Sequence, residues 1–268
     1  MTASHGWTPG PRPDGLPHHQ ELLDSTDWTS LGTAYDTGTL LPEVLTRLLD
    51  VDPDVREAAT DAVFRAVNDQ NTVYEAAAPV ALYVAAVLDH PVVTTDGDGH
   101  GDSPPPHRPT LVGLLEGLGN LAYDADDERV TLGERQFGKG FLDDYHEMRA
   151  LRDLRPVLFS AVRPLLAHEN ADVRDTALAA AMSLSEHPAL GTHRGELIEH
   201  ARRLLATSPG SRYRDLSLDA LKAWGQDISG LENASDVTAR ELRDSRLAEI
   251  GSLWSSDGTG GCAEDPPF

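Results

Sequence analysis

The side chains able to do chemistry gather in a few short stretches, and each is incomplete. Asp96, Asp98, His100, Gly101 and Asp102 alternate oxygen donors around a turn-forming glycine, like the opening of a calcium loop. The twelfth position of such a loop supplies a bidentate glutamate; here it is His107, behind the stiff run Pro104, Pro105, Pro106. His193, Glu196, Glu199 and His200 put Glu196 and His200 four residues apart on one helical face, a spacing that metals use. No third ligand stands near them, and the exposed face of a helix calls for the same residues. His18 and His19 sit in a proline-rich leader. Cys262, the single cysteine, lies beside Gly260 and Gly261 with no neighbouring base to activate it. Gly-x-Ser-x-Gly elbows, phosphate loops and dinucleotide fingerprints do not occur. These patterns predict no catalytic residue, no cofactor and no metal, and a protein that is not an enzyme.

Acidic side chains offer a different chemistry. Asp124, Asp126, Asp127 and Glu128, followed by Asp143 and Asp144, place six carboxylates in one segment. A charge run of this kind is commonly a solvated face, and it also suits docking of a basic protein. The whole chain leans the same way: 268 residues carry 22 Lys+Arg against 44 Asp+Glu, a net charge of -22. Such a surface repels phosphate backbones and anionic headgroups, which argues against nucleic-acid and membrane partners. One cysteine excludes a disulfide framework and a zinc ribbon. Met1 to Gln20 holds four prolines and no apolar core of a signal peptide, and the apolar stretch Ala76 to Leu88 is too short to span a bilayer. A cytoplasmic monomer is expected.

The elements that must position these groups are helical and repeated. Asp54-Val55-Arg56-Glu57-Ala58-Ala59 returns as Asp172-Val173-Arg174-Asp175-Thr176-Ala177, and each copy follows a leucine pair, Leu48-Leu49 or Leu165-Leu166. A third copy has Leu204-Leu205 and then Arg214-Asp215-Leu216. Arg174 and Arg214 are 40 residues apart, the period of HEAT or armadillo-type repeats at about 40 to 47 residues. Arg56, Arg174 and Arg214, each beside an acid, are expected to pair with carboxylates of the adjacent repeat.

Each copy also has helical spacing. Leu41, Val44, Leu45, Leu48 and Leu49 share one face, as do Val55, Ala59, Ala62, Val63 and Ala66 behind the Asp52-Pro53 start signal. Further helices are predicted over Ala78 to Leu88, Leu111 to Ala122, Leu158 to Leu166 with a kink at Pro164, Val173 to Leu184, Leu197 to Leu205, Tyr213 to Trp224 and Ser235 to Trp254. No stretch alternates with period two long enough for a strand. The expected fold is all-α: a right-handed α-solenoid of HEAT/armadillo-like helical hairpins over residues 25-255. Residues 1-24 are expected as a disordered leader, 256-268 as a disordered tail, and 94-108 and 124-144 as loop insertions.

The run from Ser30 to Leu88 resembles the N-terminal part of bacterial, chiefly actinobacterial, HEAT-repeat domain proteins. In those a His-Gln-Gly-x-x-Tyr-x-Ala-x-x-Pro stretch links the first two repeats. Here Gln70, Tyr74, Ala76 and Pro79 match it, while Asp69 and Asn71 replace the histidine and glycine. The resemblance implies a helical-repeat fold and a binding role. Together these observations predict a protein-interaction scaffold for a basic partner, immunity-protein-like in manner. The competing expectation is a helical-repeat enzyme, such as a metal-dependent hydrolase or a DNA glycosylase; a glycosylase needs a basic groove, which a charge of -22 disfavours.

Overall fold

The computed structural model describes residues 13, 15–95, 108–210 and 212–256. Within them the protein is mostly helical: α1 (His19–Ser25), α2 (Leu41–Arg47), α3 (Pro53–Val67), α4 (Ala77–Val87), α5 (Pro91–Thr94), α6 (Thr110–Asp124), α7 (Asp127–Phe137), α8 (Phe141–Asp144), α9 (His146–Asp153), α10 (Arg155–Val162), α11 (Ala171–Leu184), α12 (Arg194–Thr207), α13 (Arg214–Ala223) and α14 (Ala234–Ser256). No helix among the described residues is long and apolar enough to cross a membrane. The chain forms two compact units, Met1–Arg203 and Leu204–Phe268.

In the first unit α6 packs between α11 on one side and α3 on the other, while α4 meets α1, α9 and α10. Helix α4 reads Ala-Ala-Pro-Val-Ala-Leu-Tyr-Val-Ala-Ala-Val, and eight of its eleven residues are buried, as a central core helix requires. Small residues set the α6 contacts. A Cβ at Gly119 would lie 3.3 Å from the Ala180 backbone of α11, and one at Gly117 would fall 2.0 Å from the Phe64 ring of α3. Glycine at both positions therefore lets α6 approach its two neighbours closely.

Helix starts follow their sequence signals. Asp52 accepts the Asp54 N–H at 3.0 Å to open α3, and Asn170 accepts that of Asp172 at 2.9 Å to open α11. Pro164 acts as expected: α10 ends at Val162 and the chain tightens into a 3-10 turn over Arg163–Ala167. The only strands among the described residues are β1 (Asn68–Asp69) and β2 (Thr72–Val73), an antiparallel two-residue pair. Gln70 and Asn71 join them at φ 49° and 62°. Two consecutive positive φ values make the tight turn that matches strand twist, a conformation that asparagine tolerates.

The repeated arginines recur in structure as in sequence. Nη1 of Arg56 donates to Asp50 O at 2.6 Å, Nη1 of Arg174 to His168 O at 2.7 Å, and Nη1 of Arg214 to Leu205 O at 2.6 Å and Ser208 O at 3.5 Å. All three thus reach the carbonyl six residues back, clamping the turn before their own helix. Arg214 also pairs with a carboxylate, Asp236 at 2.8 Å.

Three boundary expectations need correction. Residues 15–24 are not a disordered leader: Leu16 and Leu22 are buried, and α1 docks on α4. The segment 124-144 is not a loop insertion, since it contains all of α7 and α8. Residue 256, expected in the tail, still belongs to α14, which closes at Ser256. The segments 96–107 and 257–268, with the calcium-like residues, His107 and Cys262, lie outside the described residues.

Candidate interaction surface

The acidic run divides into buried and exposed members. Asp124 and Asp126 are both only 7% exposed, so they cannot serve as surface docking groups. Asp124 closes α6 and accepts from the Asn68 side chain at 2.6 Å; Asp126 caps α7 by accepting the Arg129 N–H at 2.7 Å. Asp127 is exposed and paired with Arg152, while its own N–H donates to Glu186 at 3.1 Å. Glu128, Asp143 and Asp144 are exposed, and Asp143 pairs with Arg149. Half of the run is therefore committed to building the α6–α7 corner.

That corner rests on a residue the charge pattern did not single out. Arg155 is 1% exposed and donates from Nη2 to Ala122 O at 2.9 Å and Ala125 O at 2.8 Å, the orphan carbonyls at the end of α6. Its Nη1 reaches Glu186 at 3.2 Å. Burial, reinforced by Arg152, lowers the pKa of Arg155, and burial raises that of Glu186 against the pull of Arg155. From sequence Arg155 reads as an ordinary first-turn residue before Pro156. Its carbonyl partners lie 30 and 33 residues away, beyond any local pattern.

The metal-like set on α12 is not assembled. Glu196 is engaged by Arg163 at 2.9 Å, Glu199 lies 3.8 Å from Arg202, and the His193 ring lies tilted against Phe159 with centroids 4.8 Å apart. Burial and the adjacent Arg203 lower the pKa of His200. Among the described residues no group of three or more His, Cys, Asp or Glu is placed to hold a metal ion.

Concave surface is found instead on both flanks of α3. Between α3 and α6 a cleft of about 390 Å³ is lined by Thr60, Asp61, Phe64, Arg65, Asn68, Arg108, Gly113, Glu116, Gly117, Asn120 and Leu121. Its charged groups are paired with one another, Asp61 with Arg65 at 3.2 Å and Glu116 with Arg108. On the other flank a pocket of about 340 Å³ is lined by Thr33, Tyr35, Thr37, Leu40, Leu41, Val44, Ala62, Arg65 and Ala66. Tyr35 and Leu40 at its mouth are 71% and 70% exposed. The ridge between the two is the outer stripe of α3, where Asp54, Glu57, Ala58, Asp61, Ala62 and Arg65 are all exposed.

The segment that carries α3 is acidic. Residues 20–75 hold twelve Asp and Glu against Arg47, Arg56 and Arg65, and Arg56 is buried. Sequence reasoning missed it because its acids are spread over α1, α2 and α3 instead of standing in one run. The helical period of Asp54, Glu57 and Asp61 was the available signal. Comparisons of this chain with protein-family models, with curated proteins and with solved structures gave no match.

Proposed function

We propose that this chain is a non-enzymatic, HEAT-like helical-repeat scaffold that binds a basic polypeptide segment across α3. The observation that carries the reading is an acidic ridge with an apolar pocket on its flank: Glu57 and Asp61 are exposed on α3, and the same helix lines the pocket of Leu40, Leu41 and Val44 through Ala62 and Ala66. An apolar anchor seated in the pocket supplies contact area, and basic side chains on the ridge supply orientation and steering. The shared arginine clamp of Arg56, Arg174 and Arg214 supports a repeat architecture, because one local bond recurs wherever the sequence motif does. Ion-paired carboxylates in the α3–α6 cleft are held as charge partners, which favours recognition over proton transfer.

A fluorescein-labelled peptide of alternating lysine and leucine is a suitable probe, read by anisotropy. Saturable binding is expected, weakened about tenfold by Glu57→Gln with Asp61→Asn and again by Leu40→Ser, and falling with salt as exposed charges are screened. Equal affinity in all variants, or indifference to salt, overturns the reading. The same probe on Glu128→Gln with Asp144→Asn tests the α7–α8 acids as the competing surface.

A further inference from the structure

On the flank of α3 away from the apolar pocket, the cleft of about 390 Å³ against α6 is built differently. Each of its walls carries one charge of either sign. On α3 these are Asp61 and Arg65, 3.2 Å apart; on the other wall Glu116 of α6 pairs with Arg108, just ahead of that helix. Two arginines and two carboxylates leave the cleft without net charge in a chain that carries -22. Asp61, Arg65 and Arg108 are exposed and Glu116 is half-buried, so water weakens both pairs and they can re-pair with charges that a ligand brings. A plain anion would meet Asp61, Glu116 and the negative field of the whole chain, and a plain cation would meet both arginines. A molecule with one charge of each sign suits all four groups.

The uncharged lining suits a peptide bond and an apolar side chain. Asn120 is exposed, and its side-chain amide has no hydrogen bond among the described residues. Asn68 donates its amide N–H to Asp124 at 2.6 Å, which leaves its Oδ1 as an acceptor, and the Thr60 hydroxyl donates to Arg56 O at 2.8 Å and keeps its lone pairs. The Phe64 ring lies on the bare backbone of Gly117, where a Cβ would fall 2.0 Å from it, and Leu121 lines the same cleft. Two extended residues span about 7 Å, and packed helix axes stand about 8–10 Å apart, so a dipeptide has the length to reach from one wall to the other. We propose that the α3–α6 cleft is a binding site for a zwitterionic dipeptide with an apolar side chain. Its ammonium end goes to Asp61, where the stripe of Asp54 and Glu57 adds to the attraction, its carboxylate to Arg108, and its side chain against Phe64 and Leu121.

Isothermal titration calorimetry of the full chain with alanyl-phenylalanine tests the site. Saturable binding is expected, and blocking either end, as N-acetyl-alanyl-phenylalanine or as alanyl-phenylalanine amide, should weaken it about tenfold by removing a charge-assisted bond. Arg108→Gln with Glu116→Gln removes that ion pair as a unit, leaves no charge unpaired, and avoids Asp61, which the docking surface also uses. This variant should keep its helical circular dichroism, bind the free dipeptide about tenfold more weakly, and bind the amide as the wild type does. Asn120→Ala, at an exposed position, should weaken binding about threefold. Absence of saturable binding up to about 10 mM peptide, blocked peptides that bind as well as the free one, or a double variant that still prefers the free dipeptide to its amide each overturns the proposal.

Discussion

Replacing Arg155 by methionine should unlock the α6–α7 corner. The substitution keeps much of the side-chain bulk and removes two bonds from a charged donor to main-chain carbonyls, at 2.9 and 2.8 Å, together with the reach to Glu186. Hydrogen bonds from a charged group contribute about 1.5–3 kcal/mol each, and carbonyls left unsatisfied in the interior add to the loss. Against this stands relief of a buried charge whose Nε already lacks a partner, a desolvation cost of several kcal/mol. The net expectation is a destabilisation of about 2–4 kcal/mol, or about 4–16 °C in melting temperature at this chain length. Glu186 contributes little of it, because its side chain is 36% exposed and can turn to water. Thermal melts followed by circular dichroism, run in wild-type and Glu186→Gln backgrounds, separate these contributions. A loss under about 0.5 kcal/mol, or one that vanishes in the Glu186→Gln background, would show that the carbonyl bonds are not what holds the corner.

Tyr83→Phe should stabilise the protein by about 1 kcal/mol, since it deletes a fully buried hydroxyl without a partner; alkaline titration at 295 nm should also lose the tyrosine that ionises at about 12. Asn71→Gly should be tolerated and Asn71→Val should cost about 1–2 kcal/mol by melting, because φ is 62° there and a β-branched side chain resists it. The Arg214 bond lowers the pKa of Asp236, so this carboxylate stabilises the fold above its unfolded value of 3.8 and loses that contribution as pH falls through its lower folded value. The stability gap between wild type and Asp236→Asn should therefore be constant above about pH 5 and close only in stronger acid; a gap that closes between pH 7 and 5 would refute the assignment.

Helices with an apolar stripe were legible in the sequence: α2, α3, α4, α6 and α11 fall where leucine and alanine repeat at helical spacing. Helix α7 was not, because Gly133 is its one buried residue and no stripe marks it. Its signs were terminal ones, the cap at Asp126, acids in the first turn, Arg135 in the last and Gly138 after it. A reading that counted the acids as surface charge overlooked that one of them was the cap. Helix α1 is too short to announce itself and exists through docking on α4. The acidic run misled for a related reason: composition counts carboxylates, while the fold decides which of them meet a backbone N–H.

The arginine clamps differ in reach, and this bears on how the chain can assemble and lengthen. Arg56 and Arg174 close a loop of six residues, so each clamp can form as soon as its own hairpin leaves the ribosome, at small entropic cost. A duplicated hairpin would carry its own fastening with it, which makes the unit portable. Arg155 must wait for carbonyls already 30 residues upstream, and no other copy of its motif supplies them. Insertion of an extra hairpin should therefore succeed beside α3 or α11 and fail between α6 and α10, where the fastening spans the join.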